Sequence, residues 1–530
     1  MMSGTDTTRM LFDHYGLFLK GLERFMRIAA LSAEASSERA KAAAVLLNGL
    51  FKYTSEFMTP FWVSLNAFVA TERDKVVRHP LDETVRDYLD LFLFNLQVAA
   101  KGFSSSVRAA NDHCIEEIRG SYAAFLDTLL DRGGEDIRAF AKRRARLLEK
   151  VVYEYPKAIE DIKDEFGFHF DRPGYTLEAE TDRFLLYRVH PLPGVNAPER
   201  HKPVLIVPPY VLGVNILGFL PGERKSYAHA FANQGIPTYV RVLKDIDTTP
   251  AVQTMTGEDD ALDTRRFCEL IASRHRRPVT LNGFCQGGFI ALLDILTGEL
   301  DGLVDALVTC VAPIDGTRCK ALVEYLEHLP QRFRDLGYAV KQLENGNAVV
   351  DGKVMSWVYK LKSMEKEAPV YTFFRDLALF DNPSGGETAI TKTAAALNHW
   401  LVYDRKDIPV AITALSFDSY TVPIAPDGTM PVKLFGKKLN IKDLGEKGIT
   451  YLICYASADD LVDRESALAP LDFVQAEVTV FPKGHGAIAT TWSAPDSEYA
   501  VHKRFPQGMR GPVRFQLDLD EELSGGEDRG

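Results

Sequence analysis

The chain has 530 residues, 46% of them hydrophobic and 25% charged, with a formal net charge of −11. That is enough apolar material for about two to four packed domains. An acidic chain without long Lys/Arg runs lacks the basic face that a general nucleic-acid binder needs, and six cysteines without C-x-x-C spacing make neither a disulfide framework nor a zinc ribbon.

Residues 1–20 mix Asp, Thr, Arg and His with apolar residues and carry no signal-peptide core. The most apolar stretches, 57–70 and 89–100, are too short and too interrupted to span a bilayer. A cytoplasmic protein without a transmembrane span is expected. Residues 1–170 read as an N-terminal all-helical domain. Pro80 and Asp82 mark a helix start, and Val85, Tyr88, Leu89, Phe92 and Leu96 recur at helical spacing. Ile115, Ile118, Tyr122, Phe125 and Leu129 repeat the pattern until Gly133-Gly134 ends it. Such stripes are expected to bury against other helices or a partner. The run Lys142-Arg143-Arg144-Ala145-Arg146 reads as a solvated helix face.

From about residue 180 short apolar strands, at 204–207, 237–242, 279–282, 307–311, 450–455 and 478–481, alternate with helical patterns such as 259–273 and 287–296. This alternation predicts an α/β domain whose parallel sheet is covered on both faces. Its first part is expected over 171–318 and its second over 448–516. The break between them, 319–447, predicts a cap or lid insertion, and the acidic stretch 517–530 a disordered tail.

The sharpest signal is Gly283-Phe284-Cys285-Gln286-Gly287-Gly288, directly after the strand pattern Val279-Thr280-Leu281-Asn282. It has the form of a G-x-S-x-G nucleophile elbow with Cys in the Ser position. A nucleophile on a strained strand-to-helix turn needs small neighbours, and Gly283 and Gly287 supply them. The same turn offers the Gln286 backbone N–H to a developing oxyanion. An elbow predicts an acid and then a base after later strands. Asp459 follows the strand at 450–455, with Asp460 open as a substitute, and His485 stands between two glycines after the strand at 478–481. A second oxyanion donor is expected in Pro208-Pro209-Tyr210-Val211. The prolines have no N–H, which leaves Tyr210 or Val211, with Val211 favoured. Cys in place of Ser keeps a bound acyl group as an activated thioester.

At these residues the chain resembles the polyhydroxyalkanoate synthases, whose G-x-C-x-G-G box, Asp and His sit on an α/β-hydrolase core behind an N-terminal helical domain. The resemblance spans roughly residues 170–490. Val207-Pro208-Pro209-Tyr210 with Asn215-Ile216-Leu217, the stretch 226–240, and the segment 432–444 are similar to segments of that family. Gln286, the tryptophan-free Leu377-Ala378-Leu379-Phe380-Asp381-Asn382, and Gly486-Ala487-Ile488 depart from its usual pattern.

The resemblance implies an α/β-hydrolase fold with a cap insertion, and an acyltransferase using Cys285, His485 and Asp459. His485 would deprotonate Cys285, which takes a 3-hydroxyacyl group from CoA. Asp459 would orient His485 and assist the next hydroxyl in attacking the thioester, while Gln286 and Val211 N–H groups hold the oxyanion. No metal and no cofactor beyond the acyl-CoA substrate are expected. The expected partners are that substrate and a polyester product, with granule association and a homodimer left open. Two other readings stand beside this one: a Cys-dependent polyester depolymerase or thioesterase, and a non-catalytic granule-associated protein.

Overall fold

The computed structural model describes residues 4–72, 80–199, 201–320, 323, 339–352, 355, 368–382 and 388–517. The tail from 518 and the parts of the expected cap at 321–322, 324–338, 353–354, 356–367 and 383–387 lie outside the described residues. The chain forms two compact units.

The first unit gathers Met1–Pro60, Gln97–Glu160 and Ser363–Thr391. Helix α1 spans Gly4–Glu72, α2 spans Leu81–Leu130 and α3 spans Ile137–Glu149. α2 begins immediately after Pro80. It is followed by Asp131 and Gly133, both at positive φ, a backbone region that ends helices. Asp136 caps α3 by accepting from the Ala139 N–H at 2.8 Å. The packing uses small residues: Ala35 and Ala124 are buried against Ile137, Phe140 and Ala141. A Cβ on Gly120 would lie only 2.7 Å from the Phe140 ring.

That choice of face leaves the large apolar residues of α2 outside. Phe92 is 52% exposed, Ile118 69% and Tyr122 63%, so among the described residues these members of the predicted stripes are not covered. The helix presents Gly120 and Ala124 to α3, where a larger side chain would meet the Phe140 ring. The basic run also departs from expectation. Arg143 and Arg144 are largely buried and pair with Asp381, and Arg143 also pairs with Glu135 and Arg144 with Glu117. Carboxylates distant in sequence converge on them, which periodicity along one helix does not reveal. Among the described residues no helix is long and apolar enough to cross a membrane.

The second unit is built on an eight-stranded sheet. Its strands are β1 (Tyr175–Glu180), β2 (Phe184–Val189), β3 (Val204–Val207), β4 (Thr238–Leu243), β5 (Val279–Phe284), β6 (Val304–Cys310), β12 (Thr450–Ala456) and β13 (Glu477–Phe481). Between β6 and β12 lie β7 (Val340–Gln342), β8 (Ala348–Val350), β9 (Ile408–Pro409), and the hairpin of β10 (Thr429–Leu434) with β11 (Lys437–Asn440). The order across the main sheet is β1-β2-β4-β3-β5-β6-β12-β13. All neighbours from β4 to β13 run parallel, whereas β1–β2 and β2–β4 are antiparallel. The sheet is therefore mixed, not purely parallel.

The two extra strands escape the sequence pattern because β1 is a half-exposed edge strand with Glu178 and Glu180 in it. β3 and β5, by contrast, are buried at every position, as strands covered on both faces must be. Strand order, the antiparallel second strand and the turn after β5 make this an α/β-hydrolase fold, preceded in sequence by long helices. The insertion between β6 and β12 also carries the helices Lys392–Tyr403 and Val410–Thr421.

Candidate active site

Cys285 sits directly after β5 at φ 53° and ψ −126°, and the helix Gln286–Leu296 starts at the next residue. Such a backbone costs a non-glycine residue about 1–3 kcal/mol, so the surroundings must hold it. They do so with backbone hydrogen bonds: the Cys285 N–H donates to the Cys310 carbonyl at 2.8 Å, and the Gly288 N–H donates to the Cys285 carbonyl at 2.9 Å. The flanking glycines are sterically required. A Cβ on Gly283 would lie 2.3 Å from the Gly288 Cα, and one on Gly287 would lie 2.1 Å from the Val207 carbonyl oxygen.

β5, β6, β12 and β13 are parallel neighbours, so their following loops emerge at one edge of the sheet. The loops after β12 and β13 are tied together, with Ser457 N–H donating to the Phe481 carbonyl at 2.8 Å and Ala458 N–H to the Lys483 carbonyl at 3.0 Å. This brings His485 Nδ1 to 2.8 Å from Asp459 Oδ2. The side chains are 9% and 1% exposed. Asp459 Oδ1 accepts from the Leu461 and Val462 N–H groups, each at 2.9 Å. Asp460 is exposed and takes no part. The geometry thus separates the two candidate acids.

Burial pushes the Asp459 carboxyl up, but the His485 charge, its hydrogen bond and the two backbone donors outweigh it and hold the group below the usual value. For His485, burial pulls the pKa down; Asp459, Cys285 and their hydrogen bonding reverse this and raise it well above 6.5. With Nδ1 engaged by Asp459, Nε2 is buried without a partner at ordinary hydrogen-bond geometry, and the His485 ring packs edge-on to Phe284, the residue before Cys285, with ring centroids 6.0 Å apart. The structure therefore brings Cys285, His485 and Asp459 together.

A pH dependence follows. The raised His485 contributes stability that is complete below its unfolded value of about 6.5 and lost as pH rises through the folded pKa. The depressed Asp459 contributes stability that is present above its unfolded value of about 3.9 and lost as pH falls through the folded one. Asp459→Asn is expected to cost about 3 kcal/mol in urea unfolding at pH 5.5–6.5, with the gap to wild type narrowing toward pH 9. A gap that widens with rising pH would contradict the ion pair.

The loop after β3 faces the elbow. The Tyr210 N–H donates to the Gln286 side-chain oxygen at 3.2 Å, so it is occupied. The backbone N–H groups of Val211 and Gln286 have no acceptor among the described residues. Segment 400–406 braces the same loop. Trp400 Nε1 donates to the Leu212 carbonyl at 3.0 Å, and the Lys406 N–H donates to the Val211 carbonyl at 3.3 Å. Trp400 also lies beside Gly486, the residue after the histidine. Asp404 is buried against Gly213, and burial pushes its carboxyl up to about 6 despite the nearby Lys406 and Arg405. Nothing in the linear chain marks Trp400 or Asp404, because their position depends on how the insertion folds back. Among the described residues no group of three or more His, Cys, Asp or Glu side chains could hold a metal ion.

No family model matches the chain, and no curated protein matches it. Solved structures that resemble it include a carboxylesterase of the thaumarchaeon Nitrososphaera gargenis, 16% identical, over 59% of this chain and 92% of that one with a TM-score of 0.34. A thermostable carboxyl esterase from Bacillus coagulans is 12% identical over 67% and 97%, with a TM-score of 0.34. The thioesterase domain from the curacin biosynthetic pathway is 12% identical over 60% and 96%, with a TM-score of 0.32.

Proposed function

We propose that the protein is an acyltransferase that takes 3-hydroxyacyl groups from CoA onto Cys285 and passes them to the hydroxyl of a growing polyester. The observation that carries this reading is a cysteine on a strained elbow beside a buried histidine whose far nitrogen is held by a buried carboxylate. In the first half-reaction His485 Nε2 accepts the Cys285 thiol proton and the thiolate attacks the acyl-CoA carbonyl. A C–S bond to Cys285 forms, the oxyanion is held by the Gln286 and Val211 N–H groups, and the C–S bond to CoA breaks. The departing CoA thiolate takes the proton from His485. In the second half-reaction His485, oriented by Asp459, accepts the proton of the incoming hydroxyl. The C–O bond forms and the Cys285 thiolate leaves to be reprotonated.

The thiol supports transfer over hydrolysis because a thioester intermediate stays activated. Incubation with 3-hydroxybutyryl-CoA followed by acid quench and mass spectrometry is expected to show free CoA and Cys285 carrying one or more hydroxybutyryl units. Stoichiometric free hydroxy acid without an adduct, even at the shortest quench times, would transfer the protein to the hydrolase reading.

A further inference from the structure

We infer that the Gln286 side chain is a positioning residue that fixes the oxyanion loop and couples it to the insertion helix Val410–Thr421, an inference that rests on the Cys285 acyl-transfer reading. Both polar atoms of the carboxamide are engaged. Oε1 accepts from the Tyr210 N–H at 3.2 Å, and Nε2 donates to Ser416 Oγ at 2.8 Å. Ser416 is a buried residue of that helix. One side chain therefore joins the elbow, the loop after β3 and the insertion.

The far end of Tyr210 is also held. Its phenol donates to Asp260, and Arg241 Nη2 donates to the phenol oxygen at 3.3 Å. Arg241 in turn bonds Asp260 and Thr264 inside a wholly buried cluster. Tyr210 is thus pinned at its backbone by Gln286 and at its ring by Asp260. These anchors fix the Tyr210 Cα, and the next peptide plane, which carries the Val211 N–H, is held through the Tyr210 carbonyl, which accepts from the Gly213 N–H at 3.4 Å. The carboxamide does a second thing: it ties up the Tyr210 N–H, which leaves Val211 as the open donor of the Tyr210–Val211 pair. A small residue at position 286 would keep the elbow but supply neither contact. A glutamine is long enough to reach Tyr210 and Ser416 together.

The consequence is a defined kinetic signature. Oxyanion stabilisation lowers the barrier to acylation but plays no part in alkylation of a thiolate, which passes through no tetrahedral intermediate. With p-nitrophenyl acetate as acyl donor, Gln286→Met is expected to slow the nitrophenol burst about 10–100-fold. The donor concentration that gives half the maximal burst rate, and the rate of Cys285 alkylation by iodoacetamide, are expected to change less than about twofold, since uniform binding and thiolate formation are untouched. Ser416→Ala, away from the elbow, is expected to slow the burst less, by about 3–10-fold, with the same unchanged alkylation.

A burst within twofold of wild type in both variants would overturn the inference. Alkylation falling in parallel with acylation would overturn it too, because Gln286 would then act on the thiol. Absence of any burst in wild type would instead defeat the Cys285 reading itself, and the inference with it.

Discussion

Cys285→Ala is expected to lower CoA release from a 3-hydroxyacyl-CoA by at least about 10³-fold while leaving the fold in place. The thiol is the group proposed to bond the acyl carbon, and residues acting as one nucleophilic unit lose nearly all chemistry when the nucleophile goes. Little of the structure depends on the sulfur. The elbow is held by the backbone bonds of Cys285 to Cys310 and of Gly288 to Cys285, and by glycine contacts that the substitution does not touch. Thermal unfolding is therefore expected within about 2 °C of wild type, an effect near 1 kcal/mol or less. Cys285→Ser is expected to retain only a small residual rate, because the alkoxide forms far less readily than the thiolate. Purified Cys285→Ala with undiminished CoA release would remove the proposed mechanism.

Gly287→Ala is expected to damage both stability and activity. Its Cβ would meet the Val207 carbonyl oxygen at 2.1 Å and the Pro208 carbonyl oxygen at 2.7 Å. These are backbone atoms between a buried strand and its loop, so no flexible side chain can turn aside. The elbow helix and the β3 loop must move apart by roughly an ångström, at a cost of about 3 kcal/mol. The same movement separates the Gln286 and Val211 N–H groups that are proposed to converge on one oxygen. Acylation is expected to fall by about 10²-fold or more. Gly445→Ala is the control: a Cβ there meets nothing within 4 Å, and it is expected to change stability by less than about 1 kcal/mol. Near-wild-type unfolding and burst rates in Gly287→Ala would mean that the loop yields freely, and that the close approach is not what aligns the site.

Much of the site was legible in the linear chain because an elbow is a local device. It needs a buried strand, small residues on both sides of a nucleophile, and an apolar helix, all within about twenty residues. Asp459 and His485 were legible for a related reason: each directly follows a strand of one parallel sheet, and parallel strands deliver their loops to one edge. The central strands could be read as short apolar runs because both of their faces are covered.

The sequence by itself therefore determined the fold class and the places of Cys285, Asp459 and His485 directly after their strands, all set by short-range sterics and hydrophobic periodicity. Only the tertiary structure decided between neighbours with the same local credentials. Asp459 is distinguished from Asp460 by the bond to His485 and by two backbone donors. Val211 is distinguished from Tyr210 by a glutamine carboxamide that lies 76 residues away in the chain. The antiparallel pairing of β1 and β2, the burial of Arg143 and Arg144 against Asp381, and the outward turn of the α2 stripe belong to the same class. Each depends on which distant surface arrives opposite a residue, and a hydrogen bond or contact distance between remote segments leaves no periodic trace in the sequence.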